Sequence, residues 1–158
     1  MQKLFAIDDA LAQTRIFLSR IRSEKGSTSD ERSRHVSVLH IVDHAENLSE
    51  DTRETEHLQI LRHDSALSLL SMELCDKLHQ IIEWMNNPES VSGEVAEKTA
   101  QMMKEIRTGE RAAILQRTAA GEINPEAAYA KIEAIRWLDK ITYRVWRAAF
   151  HIGEHLKQ

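Results

Sequence analysis

Apolar residues recur at steps of three and four along most of the chain, with polar residues filling the positions between them. An α-helix turns about 100° per residue, so this spacing gathers the apolar side chains on one side of a helix. Leu4, Ile7, Leu11, Leu18 and Ile21, with Thr14 in the gap, form one such stripe and predict a first helix over 2–23. Lys25-Gly26-Ser27-Thr28 breaks it. Thr28 followed by Glu31 has the form of a capping box, in which each side chain satisfies an orphan backbone donor, so a second helix opens there. Its apolar face is Val38, Ile41, Ala45 and Leu48. The charged stretch 50–55 reads as a loop or as an extension of either neighbour.

A third helix starts at Glu56 or at Asp64 and ends at Met85, with Leu67, Leu70, Leu74, Leu78, Ile81 and Met85 as its face. Asn87-Pro88 is a stop and restart, because asparagine caps and proline loses nothing at a first helical position. The fourth helix turns Val91, Val95, Met102, Ile106 and Ala113 inward, and Gly109 inside it costs about 1 kcal/mol relative to alanine and invites a kink. Gly121 marks its end, and Asn124-Pro125 repeats the cap-and-proline signal. The fifth helix, 125–156, concentrates aromatics: Trp137, Tyr143, Trp146 and Phe150. Short connections favour antiparallel neighbours, so the expected fold is all-α: an antiparallel up-and-down bundle of about five helices in a single domain, 1–158.

Composition narrows the function. The chain has 158 residues, only 2 prolines and 5 glycines, and a net charge of −4, which argues against nucleic acid as a partner. Cys75 is the only cysteine, so no internal disulfide can form, and its place in an apolar pattern suggests a buried, inert thiol. No stretch approaches the ~20 apolar residues of a membrane span, and the N-terminus meets charge too early for a signal peptide. A cytoplasmic protein is expected. There is no glycine-rich phosphate loop, nucleophile elbow or supported Cys–His pair, so no enzymatic activity and no cofactor are expected.

Two segments carry a family resemblance. The second helix (VLHIVDHAENLSE) and the fifth (LDKITYRVWRAAF) overlay without gaps, Leu39 meeting Asp139. Val38-Leu39-His40-Ile41-Val42-Asp43-His44-Ala45-Glu46-Asn47 resembles the repeat signature of PhoU-type phosphate regulators, approximately L-E-R-I-G-D-H-A-x-N, and keeps Asp43, His44, Ala45 and Asn47. The stretch from Ile135 to Arg147 resembles the last helix of the PhoU-like domain at the C-terminus of bacterial sodium/phosphate symporters, and Arg117, Gly121 and Asn124-Pro125 fit the same tail. The resemblance covers roughly 30–156. It implies a shortened repeat over about 1–55 and a full three-helix repeat over about 56–158. It also implies a regulatory domain at the inner face of the membrane, acting with the membrane domain of a phosphate transporter or with a second subunit. Alternatives are a free-standing metal-binding bundle and a stand-alone phosphate-signalling adaptor.

The departures bear on metal. The family's paired carboxylates, four residues apart on one helix face, are here Leu39 with Asp43 and Asp139 with Tyr143, each short of one carboxylate. Hard cations want carboxylate oxygens, so the family's clusters are not carried over. His40/His44 and His151/His155 are pairs at i and i+4, a spacing that can chelate zinc, which leaves His40, Asp43, His44, Asp139, His151 and His155 as metal candidates. The plainer expectation is partly exposed histidines beside the core. Arg136, Lys140, Arg144 and Arg147 form a basic stripe that either pairs with carboxylates or faces an acidic partner. Trp137 and Trp146 lie about 180° apart on the helix. Both cannot face one core, so Arg136, Trp137, Lys140, Arg144, Trp146 and Arg147 form a candidate interaction face.

Overall fold

A computed structural model describes residues 2–21, 28–87 and 94–156, and the side chains within them from Leu4 to Gly153. Among the described residues all regular structure is helical and there is no strand. The helices are α1 (Gln2–Arg20), α2 (Ser29–Asp51), α3 (His57–His63), α4 (Ser65–Asn86), α5 (Glu94–Ala119) and α6 (Pro125–Leu156).

Six helices replace the expected five because the third breaks at Asp64. Both of its expected starts are used: α3 closes at Asp64, whose carboxylate Oδ1 then accepts from the backbone N–H of Ala66 and Leu67 to open α4. The Thr28–Glu31 capping box forms as expected. So does the Asn124 cap, which accepts from Ala127 N–H at 2.7 Å. Gly121 adopts φ +77°, and the Gly121→Thr118 and Glu122→Arg117 backbone bonds complete a Schellman ending for α5. α5 stays helical through Gly109, and α1 ends at Arg20, before the expected 23. Pro88 and Val91 lie outside the described residues.

Long-range pairs fix the directions. Asp8 meets Ser49 while Arg15 meets Glu46, so α1 and α2 are antiparallel. His40 meets His151 and Asp51 meets Lys140, so α2 and α6 are antiparallel. Arg107 pairs with Asp139 while Ala96 packs with Ala149, so α5 runs against α6. Asp64 pairs with Lys131 while Trp84 meets Gly153, so α4 runs alongside α6. The long helices therefore alternate in direction along the chain.

α6 is the hub, touching α2, α3, α4 and α5; among the described residues α1 packs only on α2, and α2 only on α1 and α6. The main core gathers Leu61, Leu67, Leu74, Met103, Ile114, Ala134, Ile135 and Leu138, and a second cluster joins Ile81, Trp84, Ala96 and Ala149. α2 departs from expectation. Apart from Val42, its buried residues are the polar Ser37, His44, Ser49 and Asp51, whereas Val38, Ile41, Ala45 and Leu48 are only half-buried. Ile7 and Ile21, expected to face inward on α1, are about half exposed. Cys75 is exposed on the outward side of α4, beside exposed Met72, rather than buried. Among the described residues no helix is long and apolar enough to cross a membrane.

Candidate functional site

α6 presents chemistry on two sides, set by how its 3.6-residue turn meets α2 and α5. Toward α2 it turns Trp137, Lys140, Arg144 and His151. Asp51, at the end of α2 and 7% exposed, receives most of them. Its Oδ1 pairs with Lys140 Nζ at 2.9 Å, its backbone carbonyl accepts from Trp137 Nε1–H at 2.8 Å, and its Oδ2 lies 3.6 Å from Arg144 Nε. The last distance is too long for a hydrogen bond, so those two buried atoms face each other as an ion pair alone. Lys140 also donates to Glu54 at 2.8 Å. These bonds to Glu54 and Asp51 raise the Lys140 pKa, and the Lys140 bond lowers that of Glu54.

The expected His40/His44 pair is joined by a third ring from another helix. His40 and His44, one turn apart on α2, meet His151 of α6: the His40 and His151 rings stack with centroids 4.8 Å apart, and His44 lies 6.2 Å from His151. His44 and His151 are buried, which corrects the expectation of partly exposed rings, while His40 is exposed. His44 Nδ1 has no hydrogen-bond partner among the described residues. Burial, reinforced by Arg144, Arg147 and His40, pushes the His44 pKa below its ordinary value against the pull of Asp43.

Three imidazoles bound to one zinc at ~2.0–2.1 Å turn their nitrogens to a common point, whereas these rings stack face to face at 15° and 17°, and their nitrogens do not gather within 4.8 Å of one another. Two features oppose a cation there. Arg147 donates toward His151 Nε2 at 3.3 Å, and Arg144 also adds positive charge. Asp43 is exposed, and Asp139 lies about 120° around α6 from His151, tied to Arg107 at 2.8 Å. The His155 side chain lies outside the described residues. Glu54, Glu56 and His57 bring three ligand atoms within 4.8 Å of one another, yet Glu54 is already engaged by Lys140 and His57 rests against Trp137.

Beside these contacts α6 carries an open groove of about 1190 Å³, bounded by α5 on one side and by Glu54 and His57 on the other. Trp137, Tyr143 and Trp146 line it, with Arg136, Asp139 and Lys140 between them and Glu97, Lys98, Gln101, Lys104 and Arg107 from α5. Most of its charges are paired internally: Arg136 with Glu133, Arg107 with Asp139 and Lys98 with Glu94. Arg147 lies 5.4 Å from the Trp146 ring and 5.2 Å from the Phe150 ring, a cation–π stack at the rim.

The expected interaction face therefore divides. Arg144 is held by α2 alone, Trp137 and Lys140 bond to α2 and its C-terminal extension while also lining the groove, and Arg136 and Trp146 line the groove with Arg147 at its edge. Sequence reasoning passed over Asp51, which lay in the stretch left as loop or helix. The signal was present: Asp51 follows His44 by seven residues, two turns along the same face, opposite a helix that repeats a cation every three or four positions. Comparison of the chain with protein-family models, with curated proteins and with solved structures finds no match.

Proposed function

We propose that this chain is a PhoU-like regulatory domain of a sodium-dependent phosphate transporter, acting by protein contact at the cytoplasmic face of the membrane and performing no chemistry itself. The observation that carries the reading is the groove over α6. An uncovered channel lined by Trp137, Tyr143, Trp146 and Arg136 has the aromatic and arginine composition of interface hot spots. The two helices that bear the family-like motifs, α2 and α6, are the pair that the Asp51 and histidine contacts join.

The test is sodium-driven uptake of radiolabelled phosphate by a sodium/phosphate symporter membrane domain in proteoliposomes, with and without the purified chain. The chain should change the uptake rate several-fold. The Lys104→Glu/Arg136→Glu double variant, changed at two exposed groove positions, should lose that effect while keeping its melting temperature. Uptake indifferent to the wild-type chain, or a double variant as active as wild type, overturns the reading.

A further inference from the structure

The hairpin of α1 and α2 has two unlike flanks. One is polar: Arg15 pairs with Glu46 at 2.8 Å, Asp8 pairs with Arg53, and Ser49 donates to Asp8 at 2.7 Å. These contacts, with about 100° per residue, fix what points the other way. On α1 the opposite flank carries Ile7 and Phe17, with Ala10 and Thr14 between them and Ile21 just past the helix end; on α2 it carries Val38, Ile41 and Leu48. From Ile7 to Phe17 on α1, and from Val38 to Leu48 on α2, this flank holds no charged residue.

It is also poorly covered. Phe17 is 65% exposed, Ile7 49% and Ile21 45%, and the three α2 residues are half-buried. This is the face on which α2 has its regular apolar stripe, while the side it turns to α6 is made of Ser37, His44 and Asp51. A helix that packs its polar residues inward and leaves its aliphatic stripe half open is short of one neighbour. α1 has the same deficit, since its sole buried side chain among those described is Leu18 and its sole packing partner is α2.

We propose that this flank is covered by a second copy of the chain, the two α1–α2 hairpins packing about a two-fold axis into a four-helix bundle. Apolar character favours a second copy: the contact would cover Phe17, Ile7 and Ile21 together with the half-buried Val38, Ile41 and Leu48 of each chain, the kind of apolar centre that homodimer interfaces have. Charge favours it too. An isologous contact sets each side chain against the same surface of the partner, so a charged flank would meet its own sign. The Ile7–Phe17 flank avoids that penalty, and the Asp8–Glu46 flank does not. Hairpin on hairpin, with alternating directions, is the ordinary geometry of an antiparallel four-helix bundle.

Sedimentation equilibrium of the full chain, from low to high micromolar concentration, tests this. The wild type should be a dimer. Phe17→Glu should weaken association by about tenfold or more, the size of effect expected of an interface anchor, while circular dichroism stays helical. Phe17→Ala, which removes the ring without adding charge, gives the same reading should Phe17→Glu fail to fold. Phe5→Gln is the control, since Phe5 is 78% exposed but lies on a different side of α1; it should leave the dimer intact. A chain that stays monomeric throughout overturns the proposal and assigns the flank to another occupant. A dimer broken by Phe5→Gln but not by the Phe17 variants places the contact elsewhere and also overturns it.

Discussion

His44 sits between opposing demands. It is 7% exposed, Arg144, Arg147 and His40 all disfavour its protonated form, and Asp43 alone favours it. His151 and Tyr143 complete its surroundings. Its pKa is lowered by folding, so the unfolded chain takes up a proton before the native one does. Stability contributed by neutral His44 is fully present above its ordinary value near 6.5, falls as pH drops below it, and levels off beneath the folded pKa. Urea titrations from pH 7.5 to 5 should show this decline, and His44→Gln should flatten it. A variant with an unchanged slope would move the effect to another group. The sequence displayed His40, His44 and His151 as members of two local pairs; their meeting across α2 and α6 is a tertiary event that no spacing within one helix announces.

Helix boundaries were legible wherever a cap and a breaker coincide, as at Thr28–Glu31, Gly121 and Asn124. The break at Asp64 was harder to read because the apolar period continues through it. Leu61 and Leu67, six residues apart, both reach the same core although a chain turn separates their helices. Asp64 serves that turn twice, capping α4 and pairing with Lys131 of α6, and the Lys131 bond is the main cause of its lowered pKa. Asp64→Ala should therefore cost about 1–2 kcal/mol in urea unfolding, the range of a lost cap. Asp64→Asn, which keeps an acceptor for the cap but loses the ion pair, should cost less. Equal losses in the two variants would mean that the ion pair, rather than the cap, holds the break. α2 was read correctly as a helix but assigned the wrong buried face, because an aliphatic stripe outweighs Ser37, His44 and Asp51 in any pattern that scores apolarity alone.

At the scale of the molecule, the all-helical class followed from the periods, whereas the order of packing did not. α6 forms the centre because its Ile135 and Leu138 serve the main core while Lys140 and Arg144 reach Asp51 on another side. Removing the Asp51 carboxylate leaves Lys140 and Arg144 facing α2 without it, and breaking a fully buried pair costs roughly 3–5 kcal/mol. Asp51→Ala should cost less than that, since the Lys140 side chain is 39% exposed, Arg144 is 24% exposed and Lys140 keeps Glu54. Hydrogen exchange in that variant should rise in α1 and α2 together and spare α4–α6, because α1 has no support except α2. Uniform acceleration over all helices would show a single cooperative unit instead.

This chain of dependence also has a direction in time. A ribosome releases α1 and α2 first, yet the surface on which α2 rests belongs to α6, whose first residue follows the last of α2 by 74 positions. At about 5–20 residues per second, that is an interval of several seconds. Throughout it the leading hairpin has only itself to lean on, with Phe17 and the Val38–Leu48 stripe uncovered. Of the six helices, the first two made are thus the last that can settle, and the α1–α2 hairpin is where the emerging fold most needs an escort.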